Sequence, residues 1–252
     1  MALHIKPGSA QTGVLSQPEY DYSELGGTWS SPRIIRMPNK GPGDNNLEDD
    51  IYVALMGGGY GVQNSGVGSN LTIVNLEDTT FPGKLEKRID IEDMLTNELV
   101  NSTPGSPVVI TADPARGIDF RGALVYISDL EGKITKFNLT NNRTDGTGKQ
   151  IKMYDSTTLF KAGSTQANGR YMYHSMDATV GQTTNSLWLY AGTGDYERIG
   201  DASKGIQNLM LGIADPNYPN YRAVSKPTKA ADLTKCKNTS NDLSYTHLRA
   251  HE

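Results

Sequence analysis

Residues 122–140 read GALVYISDLEGKITKFNLT and contain two strand patterns joined by a turn. The first pattern, at 124–127, is a short apolar run of β-branched and aromatic residues, which is typical of a buried strand. Gly132 closes a tight turn, because glycine tolerates the positive φ that hairpin turns require. Residues 134–139 then alternate apolar and polar side chains, as a strand with one buried face does. The stretch therefore predicts an antiparallel hairpin.

The hairpin pattern occurs twice more in the chain. Its strand patterns in these two copies lie at residues 51–55, 71–76, 187–190 and 209–213. Tyr52, Tyr126 and Tyr190 are predicted to occupy equivalent positions in the three copies. A fourth strand is predicted after the first two copies, at 85–89 and 150–154. Four-stranded propeller blades run about 40–50 residues, so we interpret the copies as three blades with long loops. The alternative is a β-sandwich whose hairpins are similar by coincidence.

Composition supports an all-β protein and excludes several classes. The 252 residues include 27 Gly, 12 Pro and 13 Tyr, a mixture that favours strands and turns over helices. The net charge of −4 provides no basic surface for nucleic acid. The single cysteine forms no intramolecular disulfide, and no apolar stretch approaches the length of a membrane span. The amino terminus lacks the apolar core of a signal peptide.

The repeats suggest a division of the chain into four parts. Residues 1–24 are interpreted as a linker or incoming loop, 25–215 as a propeller segment, and 216–242 as a loop-rich continuation. The last ten residues, 243–252, read LSYTHLRAHE and resemble translated sequencing-adapter read-through, so we expect them to be non-native. Typical propellers have 4–8 blades. With three repeats, the last lacking its fourth strand, we expect a partial β-propeller and an incomplete domain.

Six motifs stand in a fixed order along 25–215. They are WSSP at 29–32, VALMGGGY at 53–60, SPV at 106–108, YISDLEGKITKFNL at 126–139, LFKA at 159–162, and GTGDY at 192–196 followed by Asp201 and residues 207–215. In this order they resemble the C-terminal β-propeller domain of the PilY-type type IV pilus assembly and tip-adhesin family. That family has W/F-S-x-P, G-x-G-Y, Y-x-G-D-L-x-G-N-L-W-R-F-D-L and F-G-T-G-K-Y elements.

The resemblance implies a function and a location. It implies a quinoprotein-like propeller that acts without catalysis in type IV pilus biogenesis, controlling pilus extension and retraction and attaching the cell to surfaces. The implied partners are minor pilins or a pilus tip complex, and a host or abiotic surface. The implied location, after export, is the bacterial cell surface, at the pilus tip or associated with the outer membrane.

The resemblance also implies a calcium site, in degenerate form. The family often carries D-x-D-x-D/N-G-x-x-D before the Y-x-G-D-L strand, and calcium prefers several oxygen ligands in such a loop. The corresponding residues here are 111–119, in which Asp113 and Asp119 match ligand positions. Two other ligand positions hold no carboxylate, and Arg116 adds a cation. We expect little calcium binding; the alternative to a degenerate site is a metal-free loop whose aspartates cap turns.

Three other segments hold incomplete motifs. The acidic loop at 44–50 lacks the glycine and distant glutamate of an EF-hand, so we predict a solvated loop. The glycine runs at 57–59 and 192–194 lack a following Gly-Lys-Ser/Thr, so we predict turns where blades pack closely. His174 and Ser175 are strand neighbours that point to opposite faces, which excludes a catalytic dyad between them.

Two other functions remain open on the sequence alone. A quinoprotein-like dehydrogenase propeller would need a cofactor pocket with calcium and stacking tryptophans. This chain has only Trp29 and Trp188, which we expect in the core, and no convincing metal loop. A generic protein-binding propeller is the third interpretation. We therefore predict no enzyme activity and no cofactor apart from the degenerate calcium site.

Overall fold

The computed structural model describes residues 18–61, 66–91, 101–181, 183, 185–196, 208–236 and 244–247. Its strands are β1 (Arg33–Met37), β2 (Ile51–Gly57), β3 (Asn70–Asn75), β4 (Leu85–Asp90), β5 (Val108–Ile110), β6 (Gly122–Ser128), β7 (Lys133–Thr140), β8 (Ser156–Lys161), β9 (Asp177–Val180), β10 (Leu187–Gly192), β11 (Leu209–Asp215), β12 (Thr228–Lys229), β13 (Thr234–Cys236) and β14 (Ser244–His247). Helical structure in the described residues consists of 3-10 turns at Pro18–Tyr20, Pro114–Arg116 and Ala230–Asp232 and of 3-10 conformation at Tyr196. None of the described helical segments has the length and hydrophobicity of a membrane span.

Three sheets follow one another along the chain, and we call them blades 1, 2 and 3. Blade 1 is the antiparallel meander β1-β2-β3-β4. Blade 2 is the meander β5-β6-β7-β8, to which β12 adds in parallel beside β8. Blade 3 contains β9, β10 and β11, with β14 parallel to β11 and β13 at the edge. Successive antiparallel sheets of this kind confirm the predicted all-β, partial β-propeller fold.

The hairpin at 122–140, which we call the central hairpin, forms as its sequence predicts and lies in the middle blade. β6 and β7 pair in register from Gly122–Thr140 to Ser128–Ile134. At the turn Gly132 has φ 69°, and the Lys133 backbone N–H donates to Asp129 Oδ1 at 2.9 Å. Every residue of both strands is buried. Both faces of blade 2 are covered because the blade lies between two other sheets.

Two apolar cores hold the blades together. Between blades 1 and 2, alternate residues of β2 and β3 pack on one face of β6, and the buried set is Ile35, Met37, Val53, Leu55, Leu71, Ile73, Ile89, Ile91, Ala123, Val125, Ile127, Phe137 and Leu139. Between blades 2 and 3, the other face of β6 packs on alternate residues of β10 and β11. The buried set includes Leu124 and Tyr126 of β6 with Leu187, Leu189, Ala191, Leu211 and Ile213 of β10 and β11. The period-two pattern of each strand thus supplies one layer to each neighbouring blade.

A third, smaller cluster covers the outer face of blade 1. Tyr20, Tyr22 and Leu25 pack against Ala54 and Val74. The Tyr22 hydroxyl also donates to a backbone carbonyl of the β3–β4 loop at 2.9 Å. The described end of the predicted linker therefore packs on the sheet.

The equivalence predicted for the three tyrosines is only partly correct. Tyr126 and Tyr190 both lie on the face of their blade that is turned away from the preceding blade. Tyr52 has the strand parity of Ala54 rather than of Val53, so it lies on the opposite face of blade 1. The similar sequences hide this difference because a shift of one residue exchanges the two faces of a strand.

The predicted fourth strand of blade 2, at 150–154, is wrong. The strand is β8, at Ser156–Lys161. Tyr154 has φ 66°, which ends any extended run there, and Thr144 bridges to Gln150 in a local turn. The loop-rich segment after residue 215 contains the short strands β12 and β13, and β14 lies within the expected non-native tail.

The acidic loop at 44–50 is only partly solvated as predicted: residues 45–48 are exposed, but the aspartates at its two ends join two blades. The Asp44 and Asp50 side chains are only 5% and 3% exposed. Arg121, which precedes β6, lies 3.4 Å from the Asp44 carboxylate and also pairs with Asp50. Arg36 and Lys40 pair with the loop as well. Asp44, Asp49 and Asp50 form a three-carboxylate group that could hold a metal ion, but these three cations already balance its charge.

Candidate functional site

The sequence motifs converge at one end of the blades, which we call the motif end. In each blade the first strand begins where the second strand finishes, because the two are antiparallel. Ser31, Ser106 and Ser175 each stand two residues before the first strand of their blade. The Ser31 N–H donates to Ser106 Oγ at 2.7 Å, and the Ser106 N–H donates to Ser175 Oγ at 2.8 Å. A repeated hydrogen bond thus joins each blade to the next.

The glycine run of blade 1 lies against blade 2, which confirms the predicted close packing there. A Cβ added at Gly57 would stand 2.2 Å from the Thr103 carbonyl oxygen, just before blade 2, and 3.1 Å from Ile127 Cδ1 in β6. The Gly58 N–H donates to Thr103 Oγ1 at 2.8 Å. The corresponding glycines of blade 3 differ: a Cβ at Gly192 or Gly194 would meet no atom of the described residues within 4 Å.

The turn of the central hairpin holds a buried ion cluster. Asp129, Glu131 and Lys133 are each at most 2% exposed. The Lys133 ammonium contacts Glu131 and lies 3.3 Å from the Asp129 carboxylate. Burial raises the pKa of Asp129 to about 6, although Lys133 partly offsets the effect. Two carboxylates beside one ammonium favour retention of a proton.

A second buried polar group joins blades 2 and 3. The Lys136 ammonium contacts the Asp215 carboxylate, and it donates to the Asn220 carbonyl at 2.8 Å. The Tyr126 hydroxyl donates to Asp215 Oδ2 at 2.7 Å. Burial lowers the pKa of Lys136, with Asp215 opposing the shift, and raises that of Tyr126. All polar groups named here have partners, so the group fastens the interface between the blades.

The candidate calcium residues lie in the loop between β5 and β6. The Asp113 backbone pairs with Ile118 in both directions, at 2.9 and 3.1 Å, around the 3-10 turn at Pro114–Arg116. The Asp113 carboxylate lies 3.3 Å from Arg116 Nε, and Asp119 is exposed. The guanidinium thus already neutralises one of the two carboxylates that match the family pattern. Among the described residues, the only acidic group dense enough for a metal is in the 44–50 loop.

An exposed aromatic cleft opens at the motif end, and sequence reasoning missed it. Its walls are Trp29, Tyr173, His174 and Tyr196. Trp29 is 59% exposed, so the expectation of a core tryptophan is wrong: it precedes β1 rather than lying within a sheet. The signal was present as aromatic residues in the segments before β1 and β9 and after β10, but only the folded chain brings those segments together.

Motif residues Asp201 and Gln207 lie outside the described residues, as does the segment before Pro18. Many of the other motif residues build blade strands or contacts between blades, whereas Trp29 and Tyr196 line the aromatic cleft.

Comparison with known proteins gives a likeness of fold. No family model and no curated protein sequence matches this chain. Among solved structures, the C-terminal domain of PilY1 from Pseudomonas aeruginosa matches with a TM-score of 0.49 and 15% sequence identity. The match covers 85% of this chain and 42% of that domain, so this chain spans less than half of its length. The domain in this match belongs to the family that the sequence motifs resemble.

Proposed function

We propose that this chain is a propeller segment of a non-enzymatic type IV pilus biogenesis factor or tip-associated adhesin. The observation that supports this proposal is the order of the six motifs along 25–215. Several of them meet at the motif end, in the serine contacts and in the close approach of Gly57 to blade 2. These residues hold the blades together, so they support a likeness to the family in the blade scaffold. The activity itself is to be tested by experiment.

The proposed role is control of pilus extension and retraction and attachment of the cell to a host or abiotic surface. The partners would be minor pilins or a tip complex, and the location would be the bacterial surface after export. A non-enzymatic role fits the polar side chains of the buried clusters, which pair with one another rather than facing a cleft.

Microscopy on a bacterium that carries the gene tests the pilus role. Antibodies raised against the purified chain should label pilus tips or the cell surface in immunogold images. Deletion of the gene should reduce the number of surface pili, and restoring it should return them. Label confined to the cell interior, with normal pili in the deletion strain, would reject the proposal.

An assay of the purified chain tests the non-enzymatic part separately. After incubation with pyrroloquinoline quinone and calcium, we expect no dye reduction with alcohols or aldose sugars beyond the protein-free control. Turnover above that control would favour the quinoprotein-like dehydrogenase.

A further inference from the structure

The aromatic cleft of Trp29, Tyr173, His174 and Tyr196 has the size of a site for one chemical group. Its volume is about 260 Å³, below the range of about 300–1,000 Å³ that is typical of drug-sized ligands. Its walls come from the segments before β1 and β9 and from the loop after β10. Blades 1 and 3 thus each supply one side of the cleft.

The rings stand at steep angles to one another. The centroids of Tyr173 and Tyr196 are 5.0 Å apart with an interplanar angle of 87°, and those of His174 and Tyr196 are 5.4 Å apart at 61°. Rings in this arrangement present both faces and edges toward the space beside them. Trp29, which is 59% exposed, completes the enclosure from blade 1.

Two polar atoms of the cleft are engaged with each other. The Tyr196 hydroxyl lies 2.5 Å from His174 Nε2, within hydrogen-bond distance. The described lining contains no lysine, arginine, carboxylate or amide side chain. A sugar or a peptide backbone would find few hydrogen-bond partners here, whereas a group without hydrogen-bonding atoms needs none.

Electrostatics then selects a cation. The face of an aromatic ring carries the negative part of its quadrupole and attracts cations, and clusters of such rings recognise quaternary ammonium ligands. The chain has a net charge of −4, which also favours the approach of a cation. We propose that the aromatic cleft binds a quaternary ammonium group, of which the trimethylammonium group of choline is the simplest biological form. This inference does not depend on the pilus role.

A titration with a charged ligand and its neutral isostere tests the proposal. Choline chloride and 3,3-dimethylbutan-1-ol have nearly the same shape, but only choline is charged. For the full chain, followed by NMR of the Trp29 indole N–H, we expect a dissociation constant for choline on the order of 1–10 mM. We expect the neutral alcohol to bind at least about tenfold more weakly. Equal affinities, no choline binding, or tighter binding of glucose would overturn the proposal.

Variants locate the binding. Trp29→Ala and Tyr196→Leu should each weaken choline binding at least about fivefold, because each removes an aromatic face. Tyr196→Phe keeps the ring and should remain within about twofold of the unchanged protein. Tyr52→Leu alters a similarly exposed tyrosine outside the cleft and is the matched control. Thermal melting identifies any variant that fails to fold; choline binding that survives both ring deletions in folded protein would reject the site.

Vesicle binding distinguishes the source of the group. If the ligand is a lipid headgroup, the chain should sediment with phosphatidylcholine vesicles more than with phosphatidylglycerol vesicles, and Trp29→Ala should abolish the difference. If choline binds in solution but neither vesicle does, the ligand is a soluble quaternary ammonium compound. If Trp29→Ala and the unchanged protein sediment equally with phosphatidylcholine vesicles, the cleft makes no contact with the membrane.

Discussion

Blades 1 and 3 carry similar glycine runs after their second strands, yet in the described structure only the run of blade 1 is closely packed. At Gly57 a side chain would collide with the Thr103 carbonyl, whereas Gly192 and Gly194 have no neighbour among the described residues. Gly57 therefore serves a contact between blades rather than the turn alone. Blade 3 carries the same residues without a described neighbour on that side.

The tyrosines give the same contrast. Tyr126 of blade 2 is fully buried against blade 3, while Tyr190, on the same face one blade later, is 37% exposed. Beside it, Met210 is 50% exposed. The repeat therefore places an apolar face at each blade, and burial depends on what packs against it.

The largest expected effect on stability comes from a comparison of two alanine substitutions, one at Gly57 in blade 1 and one at Gly192 in blade 3. Gly57→Ala should lower the free energy of unfolding by about 2–4 kcal/mol, because its Cβ meets backbone that cannot move independently. Gly192→Ala should change it by at most about 0.5 kcal/mol. Urea unfolding of both variants measures the difference. A similar loss at both positions would show that Gly192 also has a close neighbour.

The buried acid of blade 2 predicts a pH dependence. The folded pKa of Asp129 is about 6, above its ordinary value of 3.8, so the folded state binds the extra proton. This contribution to stability is fully present below the ordinary pKa and is lost as the pH rises through about 6; its upper limit is about 3 kcal/mol. Asp129→Asn should remove this component.

Urea unfolding at pH 5 and pH 7.5 is the measurement for this prediction, with Asp195→Asn as control. Asp195 lies in the corresponding hairpin of blade 3 and is only partly buried. Asp195→Asn should leave the pH dependence intact. An unchanged pH dependence in Asp129→Asn would contradict the assignment.

The hydroxyls of the two tyrosines should contribute unequally. Tyr126→Phe leaves buried Asp215 with one donor fewer and should cost about 1–3 kcal/mol. Tyr190→Phe removes a hydroxyl from an exposed ring and should cost at most about 0.5 kcal/mol. Thermal and chemical unfolding of the two variants provide the comparison, and equal costs would refute it.

The open face of blade 3 should promote self-association with little effect on stability. Exposed apolar faces favour association, so we expect the purified chain to be poorly soluble or to exceed the monomer mass in light scattering. Replacing Tyr190 and Met210 together by lysine should lower that mass. Leu47→Lys, at another exposed apolar residue, should not. Deleting residues 243–252 should not restore a monomer; a monodisperse monomer of the unchanged chain would contradict the prediction.

Calcium should have the smallest effect. Arg116 already pairs with Asp113, and two expected ligand positions lack carboxylates. We expect the melting temperature with calcium and with chelator to agree within about 2 °C, a change no larger than that of a 1 kcal/mol stabilisation. Isothermal titration provides a second measurement. Micromolar affinity would show that Asp113 and Asp119 form a functional site.

The hairpins, the all-β class and the succession of blades follow from local patterns in the sequence. Alternation along 134–139 and the glycine at 132 specify strand and turn because these depend on neighbouring residues alone. The same locality explains the failures. The strand predicted at 150–154 is wrong because Tyr154 has a positive φ, which no local sequence pattern indicates. The equivalence of Tyr52 failed because its register depends on the partner strand.

Contacts between distant segments came only from the tertiary structure. The pairing of Arg121 with the 44–50 loop, the serine contacts between blades, and the meeting of Trp29 with Tyr196 each join residues far apart in sequence. Spacing along the chain contains no information on such distances until the sheets are stacked. Burial follows the same rule, because Tyr126 and Tyr190 have similar strand contexts and differ only in whether another sheet covers them.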